Sequence, residues 1–176
     1  VEPGQIGLVM VGYHVPAASH KDIYALQVSS ILLGAGESSR LKQRIKSVDP
    51  KSKRPLGLDG GMEAVIRQEP GMTIALGAYL DPAGGDPIEA AILDEIAKLG
   101  ARGPKGDELR KAKNQVQSGF VFSLENVQGL AEAMGRSWIH TGTPGSFIKD
   151  VDLIEKVSAD DVKRVVKQYL SPDNAT

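Results

Sequence analysis

The chain has 176 residues, of which 41% are hydrophobic and 24% charged, and its formal net charge at pH 7 is −1. These values are typical of a globular protein with a buried core, and they predict one domain over residues 1–176. A net charge near zero gives no electrostatic reason to expect nucleic acid or an anionic membrane as partner, and no apolar run approaches the ~20 residues of a membrane span. The chain has no cysteine, which excludes disulfides and thiolate chemistry and leaves the compartment open.

The N-terminal segment predicts a strand followed by a buried helix. Gln5 to Tyr13 is apolar and β-branched, as strands are, and ends at turn-forming residues. Ser19-x-x-Asp22 has the form of a capping box and predicts a helix that continues through Leu33. Because this helix is apolar on more than one face, we expect it to lie between layers of the fold.

A glycine-rich turn separates this helix from a shorter one. Gly34-Ala35-Gly36 ends the first helix, and Ser38 or Ser39 provides an N-cap for a helix to about Ile45. The following segment, 46–61, is rich in Lys, Pro, Gly and Ser and predicts an exposed loop.

A β-hairpin comes next. Residues 61–68 and 72–80 have strand composition and are joined by Glu69-Pro70-Gly71, a turn sequence. With the strands gathered in the first half and the helices behind them, the sequence predicts an α+β domain whose antiparallel-rich sheet is covered by helices.

The second half predicts helices. One has Ile88, Ile92, Ile96 and Leu99 on one face and is expected to end at Gly100; the next begins near Gly106. The remaining helices are expected over about 125–140, 147–156 and from a capping box at Ser158-x-x-Asp161 to the region before Pro172, with an extended segment from Asn174. On the 125–140 helix the apolar stripe is expected to face the core, together with Phe120 of the helix before it; its members are Val127, Leu130, Ala131, Met134 and Trp138.

Several patterns that resemble sites have simpler explanations. Gly34-x-Gly36-x-Ser38-Ser39 resembles a phosphate-binding loop, but a helix precedes it and no Gly-Lys-Ser/Thr follows, so a helix junction explains it. The three histidines, His14, His20 and His140, are far apart in sequence and begin no zinc-binding motif. The acid pairs fit exposed faces or first helical turns, and no G-x-S-x-G elbow accompanies the serines. An unrelated small-molecule enzyme has little support beyond the glycine-rich turn.

A set of short motifs, weak singly but ordered along nearly the whole chain, resembles the M16 (pitrilysin, insulinase and mitochondrial processing peptidase) family, specifically its non-catalytic domain. The motifs are Asp22-x-Tyr24-Ala25-Leu26, Ile31-Leu32-Leu33-Gly34, Ser38-Ser39-Arg40-Leu41 with Gln43, Asp107-Glu108-Leu109-x-x-Ala112-Lys113, Gly142-Thr143-Pro144, the run Ile154–Val162, and Tyr169-Leu170-x-Pro172-Asp173-Asn174-x-Thr176. The resemblance implies a metallohydrolase-like (LuxS/MPP-like) α+β fold, in which paired domains form halves of a clam-shell around unfolded peptides.

The resemblance also implies what this chain lacks. In the family's catalytic domain an inverted zincin motif on the first helix supplies zinc ligands and the base, and counting back from Gly34 places that motif on residues 25–29 (ALQVS), where nothing can ligate zinc. In many relatives the non-catalytic domain supplies an Arg and a Tyr that hold substrate. Those positions fall on Lys46 and Leu58 here, so the pair is not preserved.

These features predict the non-catalytic domain of an M16 zinc metalloendopeptidase, with no catalytic or metal-binding residue and no cofactor of its own. Zinc is expected in a partner catalytic domain, in the same or a second chain, and peptide is the expected substrate. Since the chain begins at Val1 without a methionine, we expect it to be part of a longer protein. The candidate contacts with peptide or partner are Ser38, Ser39, Arg40, Lys46 and Arg54. The alternative is a structural or assembly subunit that kept the fold without proteolysis.

Overall fold

The computed structural model describes residues 6–50, 52–81 and 83–176. The strands are β1 (Gly7–Val15), β2 (Asp59–Val65) and β3 (Gly71–Tyr79). The α-helices are α1 (Ile23–Gly34), α2 (Arg40–Lys46), α3 (Gly85–Arg102), α4 (Gly106–Ser123), α5 (Val127–Thr141), α6 (Asp150–Glu155) and α7 (Ala159–Tyr169). Short 3-10 turns cover Ser146–Lys149 and Pro172–Asn174. The strand expected from Gln5 begins in the structure at Gly7, and Gln5 itself lies outside the described residues.

The three strands form one antiparallel sheet in the order β1-β3-β2. β1 pairs with β3 from Gly7↔Tyr79 to Val15↔Gly71. β2 and β3 form the expected hairpin, in which Val65 lies opposite Met72. The antiparallel sheet covered by helices, and with it the α+β fold class, is therefore confirmed.

Helices cover one face of the sheet and leave the other open. On the covered face Val11, Tyr13 and Ala75 are buried in a core to which α1, α3 and α7 also contribute. The open face carries Leu8 and Met10, which are 63% and 59% exposed. A sheet face turned to water is normally polar, and this one is largely apolar.

Helix α1 forms the centre of the domain, as its all-round apolar pattern predicts. Eight of its twelve residues are buried, and it contacts β2 on one side and α4 and α7 on the others. Its two buried serines satisfy their hydroxyls within the helix, because Ser29 donates to the Ala25 carbonyl and Ser30 to that of Leu26.

The capping box predicted at Ser19-x-x-Asp22 is wrong. Asp22 occupies the N-cap position of α1, but its side chain makes no capping hydrogen bond. Its buried carboxylate instead accepts two hydrogen bonds from Arg164 (2.8 and 3.0 Å) and one from the Tyr169 hydroxyl (3.0 Å). The guanidinium group of Arg164 on α7 therefore binds the carboxylate that the local sequence predicts as a helix cap.

The end of α3 also differs from the prediction. The helix passes Gly100, which is buried where α3 packs on Val166 of α7. It ends at Arg102, and the C-cap residue Gly103 has φ +71° and ψ 179°, a backbone conformation that glycine adopts at low cost. Both glycines fit the sequence rule for a C-terminal stop, and tertiary packing decides between them.

The apolar stripe of α5 does not face the core. Val127 is 85% exposed and Trp138 is 60% exposed, and the only buried residue in the helix is Ser137. The core assignment of Trp138 is therefore wrong. Phe120, assigned to the core with it, is half-buried against Phe147.

The C-terminal elements follow the sequence closely. Ser158 and Asp161 form the expected reciprocal capping box at the start of α7. The final residues are extended, and Thr176 and Gly12 exchange backbone hydrogen bonds of 2.8 and 2.9 Å beside β1.

Candidate functional site

A groove of about 920 Å³ lies beside the edge of the sheet. Its walls are β2 and the helices α4 and α5, and its floor includes α1 and α6. Tyr24, Gln27 and Ile31 of α1 line it from below. The volume lies at the upper end of the range for ligand-binding clefts.

One wall of the groove is the outer edge of β2. Residues 62–66 line it, and β2 is the last strand of the sheet, paired only with β3 among the described residues. An edge strand presents backbone N–H and C=O groups that a further extended segment can pair with. The groove therefore offers what β-strand addition requires, a free edge with space beside it.

The opposite wall is the polar side of α5. Glu132, Arg136 and His140 line the groove at helical spacing, and Glu63 of β2 also lines it. Deeper in, the Tyr24 hydroxyl donates a hydrogen bond to Asp150 (2.9 Å). Burial and this hydrogen bond raise the pKa of Tyr24 to about 12, and burial also raises the pKa of Asp150. The groove thus combines an apolar floor with a mixed, mainly acidic rim.

The expected position of the zinc motif, residues 25–29, lies on α1, one of the helices that line the groove. Of residues 25–29 only Gln27 lines the groove, and the other four are buried in the core. Neither buried apolar side chains nor a serine bonded to its own helix can hold zinc. Among the residues described, no cluster of three or more His, Asp or Glu side chains could bind a metal ion. Residues 25–29 therefore do not fit a catalytic zinc.

Ala35 of the glycine-rich turn lines the groove, whereas Ser38, Ser39 and Arg40 do not. Ser38 is exposed and accepts a hydrogen bond from the Lys111 ammonium group. Ser39 occupies the N-cap position of α2, is 3% exposed, and makes no side-chain capping bond. Arg40 forms a two-point contact with Glu108 of α4, in which Nε and Nη2 lie 2.6 and 2.8 Å from the carboxylate oxygens.

The other two candidate contacts lie near the loop that precedes β2. Lys46 is the last residue of α2, and its ammonium group is 3.6 Å from Glu37 and 3.9 Å from Asp59. Arg54 is exposed. None of the five candidates lines the groove, and their role as contacts with peptide or partner stays a prediction.

Arg40 has a clear structural role, because its contact joins α2 to α4. The hydrogen bonds from Arg40 hold the pKa of Glu108 below its usual value. We expect Arg40→Ala to lower the free energy of unfolding by about 1–2 kcal/mol, since a two-point, half-buried contact exceeds the usual surface pair. Arg54→Ala is the matched control, with an expected change within about 0.5 kcal/mol. Urea denaturation at pH 7 measures both, and equal effects would contradict the role given to Arg40.

Sequence reasoning missed the residues that line the groove. Glu132, Arg136 and His140 have the i, i+4 spacing of one helix face, and that pattern was the available signal. The apolar stripe on the opposite face is the more prominent signal and indicates the core, so the polar face does not stand out as a site.

No helix in the part of the chain that the structure describes is long and apolar enough to cross a membrane.

Comparison with known proteins gives a consistent family. Residues 1–116 match the model of the peptidase M16 inactive domain. The chain is 30% identical over 175 residues to zinc protease PqqE of Helicobacter pylori, covering 96% of this chain and 36% of that protein. It spans about a third of the length of this relative, and the same holds for a Mycobacterium leprae zinc protease.

Solved structures show the same fold. A Helicobacter pylori protease superimposes with a TM-score of 0.85 at 23% identity, covering 100% of this chain and 41% of that one. An inactive peptidase domain from Bordetella parapertussis superimposes with a TM-score of 0.83 at 21% identity, covering 98% of this chain and 91% of that one. With the sequence match to the inactive-domain model, these results show that the chain belongs to the M16 peptidase family, as an inactive domain.

Proposed function

We propose that this chain is the non-catalytic half of an M16 zinc metalloendopeptidase, which packs against a zinc-bearing domain and forms part of the chamber that encloses peptide. The observation that carries the proposal is the groove beside β2, which leaves space along the outer edge of this strand in a chain that matches the M16 inactive-domain model. Such a groove is suited to hold an extended peptide, and its cleavage would fall to the zinc-bearing partner.

The peptide-binding part of the proposal rests on the edge of β2. An extended segment beside β2 would pair through backbone hydrogen bonds, which depend little on side-chain identity. The groove extends from β2 to the polar face of α5, so side chains of the peptide would meet Glu63 on one wall and Arg136 on the other. Such a site suits unfolded peptides of varied sequence.

The open face of the sheet supports packing against another domain. Leu8 and Met10 of β1 lie beside Leu76 and Ala78 of β3 in the register of the sheet, and together they form an apolar surface without a covering layer in the described residues. An exposed apolar surface of this kind is typical of a contact between domains. The catalytic domain, in the same or a second chain, is the proposed occupant.

Filling the groove tests peptide binding. Gly119 of α4 lines the groove, and a side chain at this position would meet no atom within 4 Å of its Cβ. We expect the parent chain to bind a labelled unstructured peptide in fluorescence polarisation, and Gly119→Trp to weaken that binding at least ~10-fold by occupying the space.

Gly135→Trp is the matched control, because Gly135 is also a helical glycine with open space at its Cβ, but it lies outside the groove. Its affinity for peptide should equal that of the parent. Equal affinity in all three proteins would place peptide elsewhere, and an absence of binding by the parent would favour the structural-subunit alternative.

A further inference from the structure

Asp150, the first residue of α6, is farther from bulk water than the other acidic residues that line the groove. Glu63 and Glu132 are exposed, whereas Asp150 is half-buried. An exposed charge is screened by solvent and salt, and a charge that is partly withdrawn from water is screened much less. Asp150 therefore has more influence than the exposed acids on which ligand charge the groove favours.

The Asp150 carboxylate has a single side-chain partner among the described residues. The Tyr24 hydroxyl donates a hydrogen bond of 2.9 Å to Oδ1, and no ion pair reaches the carboxylate. A neutral hydroxyl offsets only part of the cost of removing an ionised carboxylate from water. Burial accordingly raises the pKa of Asp150, and this effect is larger than the lowering that Tyr24 and His140 cause.

A local role in α6 does not explain where Asp150 lies. Acidic residues in the first turn of a helix interact favourably with its dipole, and Asp150 and Asp152 both lie in the first turn of α6. Asp152 is exposed and lies outside the groove. Asp150 instead lines the groove and contacts Tyr24 of α1, which is 126 residues away in sequence. The dipole accounts for an acid in this turn, but not for its half-buried position in the groove.

The two basic residues that line the groove leave Asp150 without a cation. Arg136 and His140 both belong to α5, and Arg136 is exposed. Neither forms an ion pair with Asp150 in the part of the chain that the structure describes. A half-buried carboxylate without a cationic partner is stabilised by a ligand that brings one.

We propose that the groove binds a basic side chain of the peptide, lysine or arginine, whose charged end pairs with the Asp150 carboxylate. This inference rests on the proposed function and narrows its substrate class to peptides with a basic residue in the segment beside β2. A long basic side chain has an apolar stem and a charged end. The stem suits the apolar side chains that line the groove, such as Phe120 and Phe147, and the charged end supplies the partner that Asp150 lacks.

Peptides that differ at one position test this preference. The probes are labelled, unstructured peptides of Ser, Thr and Leu whose central residue is Lys, Arg or Gln, and fluorescence polarisation at low salt measures their affinity. We expect the Lys and Arg peptides to bind the parent chain at least ~10-fold more tightly than the Gln peptide. Acetylation of the Lys peptide keeps the stem and removes the charge, so the acetylated form should bind as the Gln peptide does.

Substitutions test whether Asp150 is the source of the preference. Asp150→Asn keeps the size of the side chain, and its amide oxygen can still accept the Tyr24 hydrogen bond. We expect this variant to reduce the Lys-to-Gln affinity ratio to within about twofold of one. Asp152→Asn is the matched control, because it removes the same charge from the same helical turn outside the groove, and it should keep the ratio of the parent. Glu132→Gln removes an exposed charge from the groove wall and should change the ratio by less than about twofold.

Hydrogen exchange locates the charged end of the peptide in the parent chain, without any substitution. The Lys peptide should slow exchange in α6 more than its acetylated form does at equal occupancy, because the two differ at the charged group. Equal protection of α6 by the two peptides would overturn the inference, whether or not Asp150→Asn folds.

The affinities separate this inference from the proposed function on which it rests. If none of the peptides binds the parent chain, the proposed function fails and the inference fails with it. If all of them bind with equal affinity, peptide binding stands and the inference alone is overturned. A Lys preference that Asp150→Asn leaves intact, or that Glu132→Gln abolishes, would also overturn it, because the preference would then come from the exposed rim.

Discussion

Gly34→Ala is expected to lower the free energy of unfolding by at least about 3 kcal/mol, or to prevent folding. Gly34 is the last residue of α1, and a Cβ at this position would lie 1.8 Å from the backbone nitrogen of Met62 and 2.5 Å from its Cα. Both of these atoms belong to the backbone of β2, so no side-chain rotation relieves the overlap. The helix and the strand that forms a groove wall would have to separate.

Gly119→Ala provides the control for this variant. Gly119 also lies in a helix, but a Cβ there would meet nothing within 4 Å, and replacing a mid-helix glycine by alanine gains about 0.5–1 kcal/mol. Urea denaturation followed by circular dichroism measures both variants. A Gly34→Ala protein whose stability lies within about 1 kcal/mol of the parent would contradict the close approach of α1 to β2.

Asp22→Asn is expected to cost about 2–3 kcal/mol. Asp22 is 3% exposed, and its carboxylate accepts hydrogen bonds from Arg164 and Tyr169, which joins the start of α1 to α7. The amide of asparagine keeps the shape of the carboxylate but loses its negative charge. Its NH₂ group is a hydrogen-bond donor, and it would face the donor groups of Arg164 or Tyr169. The control is Asp152→Asn, an exposed position at which we expect a change within about 0.5 kcal/mol.

The cost of Asp22→Asn should depend on pH in a defined direction. The hydrogen bonds from Arg164, with a smaller contribution from Tyr169, outweigh the effect of burial and hold the pKa of Asp22 below its usual value. The stability that the carboxylate contributes is therefore fully present above the unfolded-state pKa of about 3.9 and is lost as pH falls through the lower folded-state pKa. The difference between parent and variant should be constant from about pH 5 to 7 and shrink in acid. A difference that grows in acid would contradict this assignment.

The sequence predicts the elements of this fold well, because they depend on local signals. Hydrophobic periodicity and the turn Glu69-Pro70-Gly71 locate the hairpin, and Ser158 with Asp161 locates the start of α7. The errors arise where a residue that is distant in sequence determines the local structure. Asp22 fits a cap, but Arg164 lies 142 residues away in sequence and binds it.

The candidate site was harder to predict than the fold, since the groove is built from β2, α1, α4 and α5 and no local pattern brings them together. The stripe of α5 shows a second limit. Periodicity shows that one face of a helix avoids water, but it does not say whether that face packs inside its own domain or against another molecule. Trp138 was placed in the core for this reason and is exposed.

Hydrogen exchange read by mass spectrometry, with and without a saturating unstructured peptide, tests most directly the claim that this domain holds peptide without cleaving it. We predict slower exchange in the segment 59–66 and in the helices that line the groove, with the peptide recovered at its full mass when zinc is added. Unchanged exchange in β2 would contradict peptide binding at the sheet edge. Cleavage of the peptide that a chelator abolishes, together with stoichiometric zinc bound to the chain, would contradict the assignment of this domain as non-catalytic.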